Sequence, residues 1–384
     1  MLNRRMLLSL YQPAGILGAV LALGIWIPAF FIKGGYLLGN KVFTGYPAVL
    51  HSEQIFALFV LPLLTFFILR APTFSGDRES PEAKGGVPMY LLIGQALMIP
   101  LSFAPERMPF HLVFAACALG LFAFAYNQAK TRANMGAVDV TALLLGTALF
   151  LQAAATLLLL FTPSAAQGGG LHRLGRLILF YGVMPPALAG LGMSVRATPE
   201  DKGDKIRAYV LLAVFAGTFV WDLIALLLFR DRPSLAGELL RLLTFAFLLP
   251  RFFPLRAWAS RGARGFLVLG ALLLTLAGLG GHLFDSVHGV HLAHLYFVGG
   301  IGLLLVMSGD GFAWARGEET FRRAGWTIAV LFIVAALTRA TAHFWPRIFY
   351  SHLLYAAVLQ MAALAAWLFV LLKRRDSGET RSPV

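Results

Sequence analysis

Cysteine and charge are the two scarce things in this chain. Cys117 is its one thiol, and Asp, Glu, Lys and Arg together make up 13% of 384 residues. A single cysteine excludes an internal disulfide and any thiolate-cluster metal site. Lying inside an apolar run, Cys117 is expected to be a small buried side chain. A soluble domain carries roughly 25% charged residues. Here the hydrophobic share is instead 59%, with a mean hydropathy of +0.76. The composition is that of an integral membrane protein and leaves no room for a sizeable soluble domain. Linkers, low-complexity tracts and nucleotide or haem attachment motifs are also missing. There is no P-loop, no G-x-G-x-x-G after a strand, no H-E-x-x-H and no C-x-x-C-H. A nucleotide-driven pump and a c-type cytochrome are thereby disfavoured.

What is present is a succession of apolar runs. A spanning helix needs about 20 mostly apolar residues, and lipid-exposed backbone must satisfy its own hydrogen bonds. The chain therefore reads as all-α, a polytopic bundle of about twelve transmembrane helices forming a single integral membrane domain over 1–384. The spans are 13–32, 47–69, 87–104, 109–126, 138–161, 175–193, 207–229, 234–250, 265–283, 289–309, 326–344 and 348–372. The first apolar run continues to Ile32, which reads as an uncleaved helix rather than a signal peptide.

The net charge of +14 does not point to nucleic acid, because the basic residues sit between spans rather than in a block. With both termini cytoplasmic, 22 Lys and Arg fall in inner segments and 8 in outer ones, with Arg241 and Arg339 inside spans. Such asymmetry is what orientation in a bacterial inner membrane requires. Trp314, Trp326 and Trp345 sit at span ends as interfacial anchors, whereas mid-span Trp26 and Trp221 are expected to pack inward.

This topology puts all nine histidines near the outer ends of helices: His51, His111, His172, His282, His288, His291, His294, His343 and His352. Histidine is the commonest metal ligand, so the one-sidedness points to a metal or haem site near the outer face. The densest cluster is His282-x-x-Asp285-x-x-His288-x-x-His291-x-x-His294. Residues three apart share a helix face, so His291 and His294 point into one region. His282 and His288 read equally as solvated interfacial residues. Deeper in its span, His294 reads as functional. Gly299, Gly300 and Gly302 follow it, admitting either a neighbouring helix or a flat cofactor. A second cluster, His51, Glu53 and Gln54, opens span two, with His51 as ligand or interfacial residue and Glu53 as orienter. Arg339 and His343, four apart, are expected to share a face. Arg339 would hold an anion such as a haem propionate, or snorkel to the interface. Asp222, Asp310 and the pair Glu238 and Arg241 are ionisable groups in or near spans. Asp139 reads as a helix-start residue. The sequence GVMPP, with Pro185 and Pro186, should kink span six.

Two motifs carry a resemblance. LHSEQIFALFVLPLLTFFILRAPTFSG resembles the W-H-A-H-E-M opening and F-L-L-T-A-x-P-x-W-T-G close of an early helix in the NnrS family. HLYFVGGIG resembles that family's H-A-L-T-V-G-A-I-G helix. The chain thus looks like a divergent NnrS protein over roughly 10–372. The resemblance implies a polytopic inner-membrane protein of the nitric oxide response, holding haem b and copper. His51 matches the first family histidine, and His294, Gly299 and Gly302 carry over. Glu53 stands where a second histidine would be, and Gln54 where the glutamate would be. GFAWARG lacks the histidine that follows the second motif in relatives, and GVMPP lacks an arginine. The implied site is His51 and His294 as metal ligands, with His288 and His291 as substitutes for the missing ones. Together with the residue reading above, the set expected to line the cofactor is His51, His291, His294, Arg339 and His343. The partners implied are the lipid bilayer, nitric oxide or another small ligand, and a quinol or protein electron donor, without nucleic acid. The competing reading is a secondary transporter or metal permease using Asp222, Glu238, Arg241 and Arg339.

Overall fold

The computed structural model describes residues 4–33, 47–70, 86–104, 106–133, 139–162, 171–172, 174–194, 201–229, 240, 243–244, 247, 251–252, 263–284, 289–303 and 319–376. In chain order its helices are α1 (Arg4–Gly24), α2 (Trp26–Lys33), α3 (Pro47–Ile55), α4 (Leu61–Arg70), α5 (Gly86–Ser102), α6 (Met108–Ala133), α7 (Val140–Phe161), α8 (Met184–Ser194), α9 (Lys202–Phe229), α10 (Ala263–Phe284), α11 (Gly289–His294), α12 (Glu319–Thr341) and α13 (Phe349–Asp376). Three wider π-helical segments, Phe56–Val60, Ile178–Val183 and Leu295–Gly302, interrupt this series. No strand occurs among the described residues.

Eight helical stretches among the described residues are long and apolar enough to cross a membrane. Three shorter apolar helices, Val87–Ser102, Leu269–Gly278 and Leu292–Gly302, match further expected spans. The expected span at 234–250 lies almost wholly outside the described residues, as do Glu238, Arg241 and Asp310. The distribution of side chains is that of a membrane bundle. Leu17, Ile93, Leu112, Phe150, Val220, Val330 and Val358 are exposed on helix surfaces, while Gln12, Gln95, Gln152, Thr65, Thr156 and Thr275 are buried. A water-soluble protein would reverse that pattern. Trp221, expected to pack inward, is 52% exposed on α9. A large aromatic faces lipid at little cost, so its mid-span position did not fix its direction. Trp26 is buried, as expected.

The chain divides into two compact units. The first comprises Met1–Gly15 and Phe56–Pro254. In it α5, α6 and α7 form an antiparallel series, and α7 also packs against α8 and its preceding π turn. Gly94 meets the Cys117 thiol so closely that a Cβ there has no room. Cys117 is buried, as its apolar surroundings in sequence predict. The Tyr11 hydroxyl donates to the Pro88 carbonyl. Asp139 caps α7 by accepting from the Ala142 amide at 2.5 Å. At the start of α9, Asp201 and Asp204 accept from each other's amides, and Arg207 donates to Asp204 at 2.7 Å. This reciprocal pattern is a capping box. The kink expected from GVMPP takes the form of the π turn at Ile178–Val183. Pro185 and Pro186 bring no N–H and would clash with carbonyls one turn back, and widening the turn relieves both.

The second unit comprises Ile16–Ile55 and Leu255–Val384. Its frame is two antiparallel hairpins. One joins α10 to α11 and the π segment, and the other joins α12 to α13. The first is very close. Gly278 lies against the Tyr296 backbone and Gly300 against Thr275. On the other side, a Cβ at Gly299 would stand 3.2 Å from Ala336, and one at Gly302 would stand 2.9 Å from Phe332. The glycines of HLYFVGGIG therefore serve helix packing, and the space a flat cofactor would need beside them is filled.

Gly278→Ala or Gly300→Ala should cost about 1–3 kcal/mol through overpacking. Gly270→Ala, on the same α10 with open space around it, should stabilise by about 0.5–1 kcal/mol. Thermal unfolding of the detergent-solubilised variants checks the opposite signs.

Candidate functional site

The second unit brings several expected site residues to one of its ends. α1 stops at Gly24 and α2 starts at Trp26, so the last carbonyls of α1 lack intrahelical donors. His51 on α3 supplies one. Its Nδ1 donates to the Ala22 carbonyl at 2.9 Å. That bond orients the ring and leaves Nε2 as the nitrogen with a lone pair. The Trp26 indole meets the imidazole edge to face, with centroids 5.6 Å apart. Arg339 on α12 is near enough to act on His51 electrostatically. The ring itself is partly exposed, while the Ser52, Glu53 and Gln54 that follow it are buried.

His294, the last residue of α11, is also partly exposed. Its position relative to Arg339 follows from the packing of its helix. Gly299 faces Ala336 and Gly302 faces Phe332, an antiparallel register. Carrying that register back from Gly299 puts His294 at the level of residues 339–343. α11 also packs directly against α12. His51, His294 and Arg339, expected to converge from separate segments, thus lie in one unit, with Arg339 within electrostatic range of His51 and level with His294.

His343 departs from expectation. α12 ends at Thr341, and the chain tightens into a 3-10 turn over Ala342–Phe344. The α-helical i, i+4 register with Arg339 stops short of it. Its Nδ1 turns back to the Ala340 carbonyl at 2.9 Å, and its ring lies 3.8 Å from that of Phe344. His352 bonds locally to the Ile348 carbonyl at 3.2 Å, as an interfacial residue would. His288 and Asp285 lie outside the described residues, and so do the side chains of His282 and His291.

In the first unit, His111 and His172 are buried rather than interfacial. His172 Nδ1 donates to the Thr162 carbonyl at 2.6 Å, tying the segment after α7 to that helix's end. His111 packs edge to face on Phe110, whose ring also carries the Arg107 guanidinium 4.5 Å above it. Span-end position alone could not separate a buried histidine from a wetted one.

The donor set decides which group fits. No three His, Cys, Asp or Glu side chains stand together for a metal ion among the described residues. A protein-only copper site would need ligands from outside them, such as His288 and His291. A haem brings four nitrogens of its own and asks the protein for one or two axial ligands. An imidazole with Nδ1 held by a carbonyl, an aromatic wall and a nearby guanidinium meets that smaller demand. The neighbours of His51 were the part missed in the sequence. Trp26 read only as packing, and a carbonyl partner leaves no mark in the pattern of residue types.

No family model matches the chain, and no curated protein matches it.

His51→Leu removes the donor to a helix-end carbonyl and should cost about 1–3 kcal/mol. His352→Leu, whose bond lies within an exposed first turn, should change stability by less than about 0.5 kcal/mol. Thermal unfolding midpoints of the two variants test the contrast.

Proposed function

We propose that this chain is a bacterial inner-membrane bundle of twelve spanning helices, with both termini cytoplasmic, that binds haem b near its outer face and acts in the nitric oxide response or its detoxification. The observation that carries the reading is the state of His51. Its Nδ1 is committed to Ala22, its ring meets Trp26 edge to face, and Arg339 lies within electrostatic range of it.

Within this proposal His51 Nε2 would hold the haem iron. The Ala22 carbonyl fixes its tautomer and raises its basicity. Trp26 provides an apolar wall that keeps water from one side of the ring. Arg339 pairs with a propionate, a charge-assisted bond suited to a guanidinium in an apolar span. His294 would hold the iron together with His51 or line the haem pocket. His343 closes the same end of the unit. When bound, the haem iron supplies the centre at which nitric oxide coordinates. Electrons come from a quinol or a protein donor.

The family resemblance supports this reading through His51 and His294. The departures at Glu53 and Gln54 support haem over copper, because they replace one histidine and one carboxylate of the relatives' early motif. A transporter reading has one specific observation in its favour, the carboxylate of Asp222 buried in α9.

The detergent-purified protein should show a Soret band that His51→Ala abolishes and His352→Ala leaves intact. Arg339→Gln should weaken haem retention about tenfold, the equivalent of about 1.4 kcal/mol. A colourless wild-type protein would sink the haem reading, and uptake into liposomes that depends on Asp222 would replace it. For orientation, single cysteines in a Cys117→Ala background should react with an impermeant maleimide in intact cells at position 344. At position 373 they should react only after permeabilisation. The reverse pattern would invert the topology.

A further inference from the structure

The first unit contains a buried amide that the proposed haem site does not use. Gln152 lies midway along α7 and is fully buried, and neither Nε2 nor Oε1 has a hydrogen-bond partner among the described residues. A side-chain amide can donate twice and accept twice, and leaving it unmatched in an apolar interior costs about 1–3 kcal/mol. Its setting is well defined. Leu145, Ala148, Leu149, Gln152, Ala155 and Leu159 form one buried stripe of α7. A Cβ at Gly190 would stand 2.8 Å from Leu145, and one at Gly175 would stand 3.2 Å from the Ala155 carbonyl. Gln152 falls between these two contacts on the same stripe. It therefore stands opposite the middle of residues 175–190, which is the π turn Ile178–Val183.

Backbone polarity is available in that turn. Pro186 has no N–H to give the Gly182 carbonyl in the α-helical pattern, and the π widening opens the ladder at the same point. Gly182 itself is closely packed, since a Cβ there would stand 3.3 Å from Ile178 and from Phe219 of α9. A buried amide with full hydrogen-bonding capacity thus faces a loosened, glycine-bearing turn.

We propose that Gln152 and the Gly182 carbonyl hold a small neutral ligand that both donates and accepts hydrogen bonds, namely bound water, between α7 and the π turn. Such a ligand needs two to four polar partners, and the amide's two atoms with the carbonyl provide three. Leu149, Ala155, Val183 and Met184, buried on the two facing segments, are apolar and suit a neutral ligand; Arg176, two residues before the π turn, is the charged group among the described residues 174–194. The site makes a wetted point inside the first unit and is independent of the haem reading.

Radiolytic hydroxyl labelling with mass spectrometry tests it, because bound water generates radicals that oxidise adjacent buried side chains. In the wild-type protein, Met184 should be oxidised at least several-fold faster than Met193. The two are both buried, and Met193 lies at the far end of α8. Gln152→Leu should remove the difference and lower the unfolding midpoint. Equal rates at Met184 and Met193 in the wild-type protein overturn the proposal without any variant. A Gln152→Leu protein that unfolds at higher temperature also overturns it, since that is the signature of a dry, unmatched amide.

Discussion

Hydrocarbon offers no hydrogen bonds, and most of this structure follows from that. Every backbone polar group that faces lipid must find its partner in the protein. The threonines show the simplest solution. Thr65, Thr147 and Thr275 each return their hydroxyl to the carbonyl four residues back, at 2.7–2.9 Å. The same constraint explains the ends of helices. Asp139 caps α7, and His51 reaches across to a carbonyl at the end of α1. Four of the described histidines share one habit. His51, His172, His343 and His352 all direct Nδ1 at a backbone carbonyl. This common habit means that the hydrogen bond alone does not mark a ligand. What sets His51 apart is the company of Trp26 and Arg339.

The sequence made the architecture legible because hydropathy is a one-dimensional property. Runs of about 20 apolar residues had to become helices, and the boundaries of spans such as 138–161 and 47–69 lie within a few residues of the helical stretches found. Cys117 and Asp139 could be read from their neighbours alone. Direction around a helix was harder to read. In lipid both faces of a helix are apolar, so periodicity carries little information about which side is inward. Trp221 shows this. The same lack hid the burial of His111 and His172.

The site was legible in part for a related reason. His51, His294 and Arg339 were noticeable as polar residues in apolar runs, and the fold places them in one unit. The 3-10 turn between Arg339 and His343 left no mark in the sequence, because a change from α to 3-10 geometry depends on a few backbone angles. The π segments were equally hidden, except where Pro185 and Pro186 forced one. The glycines of HLYFVGGIG had two readings, and the contacts of Leu274, Thr275, Phe332 and Ala336 favour helix packing.

The closeness of that packing has a mechanical corollary. With Tyr296 pressed on Gly278 and Thr275 on Gly300, the two arms of the α10 hairpin are clasped at two rungs. Neither arm can slide or roll past the other without collision. Any rearrangement that carries His294 toward or away from Arg339 must therefore swing the whole pair as a single lever, with its pivot outside the clasp.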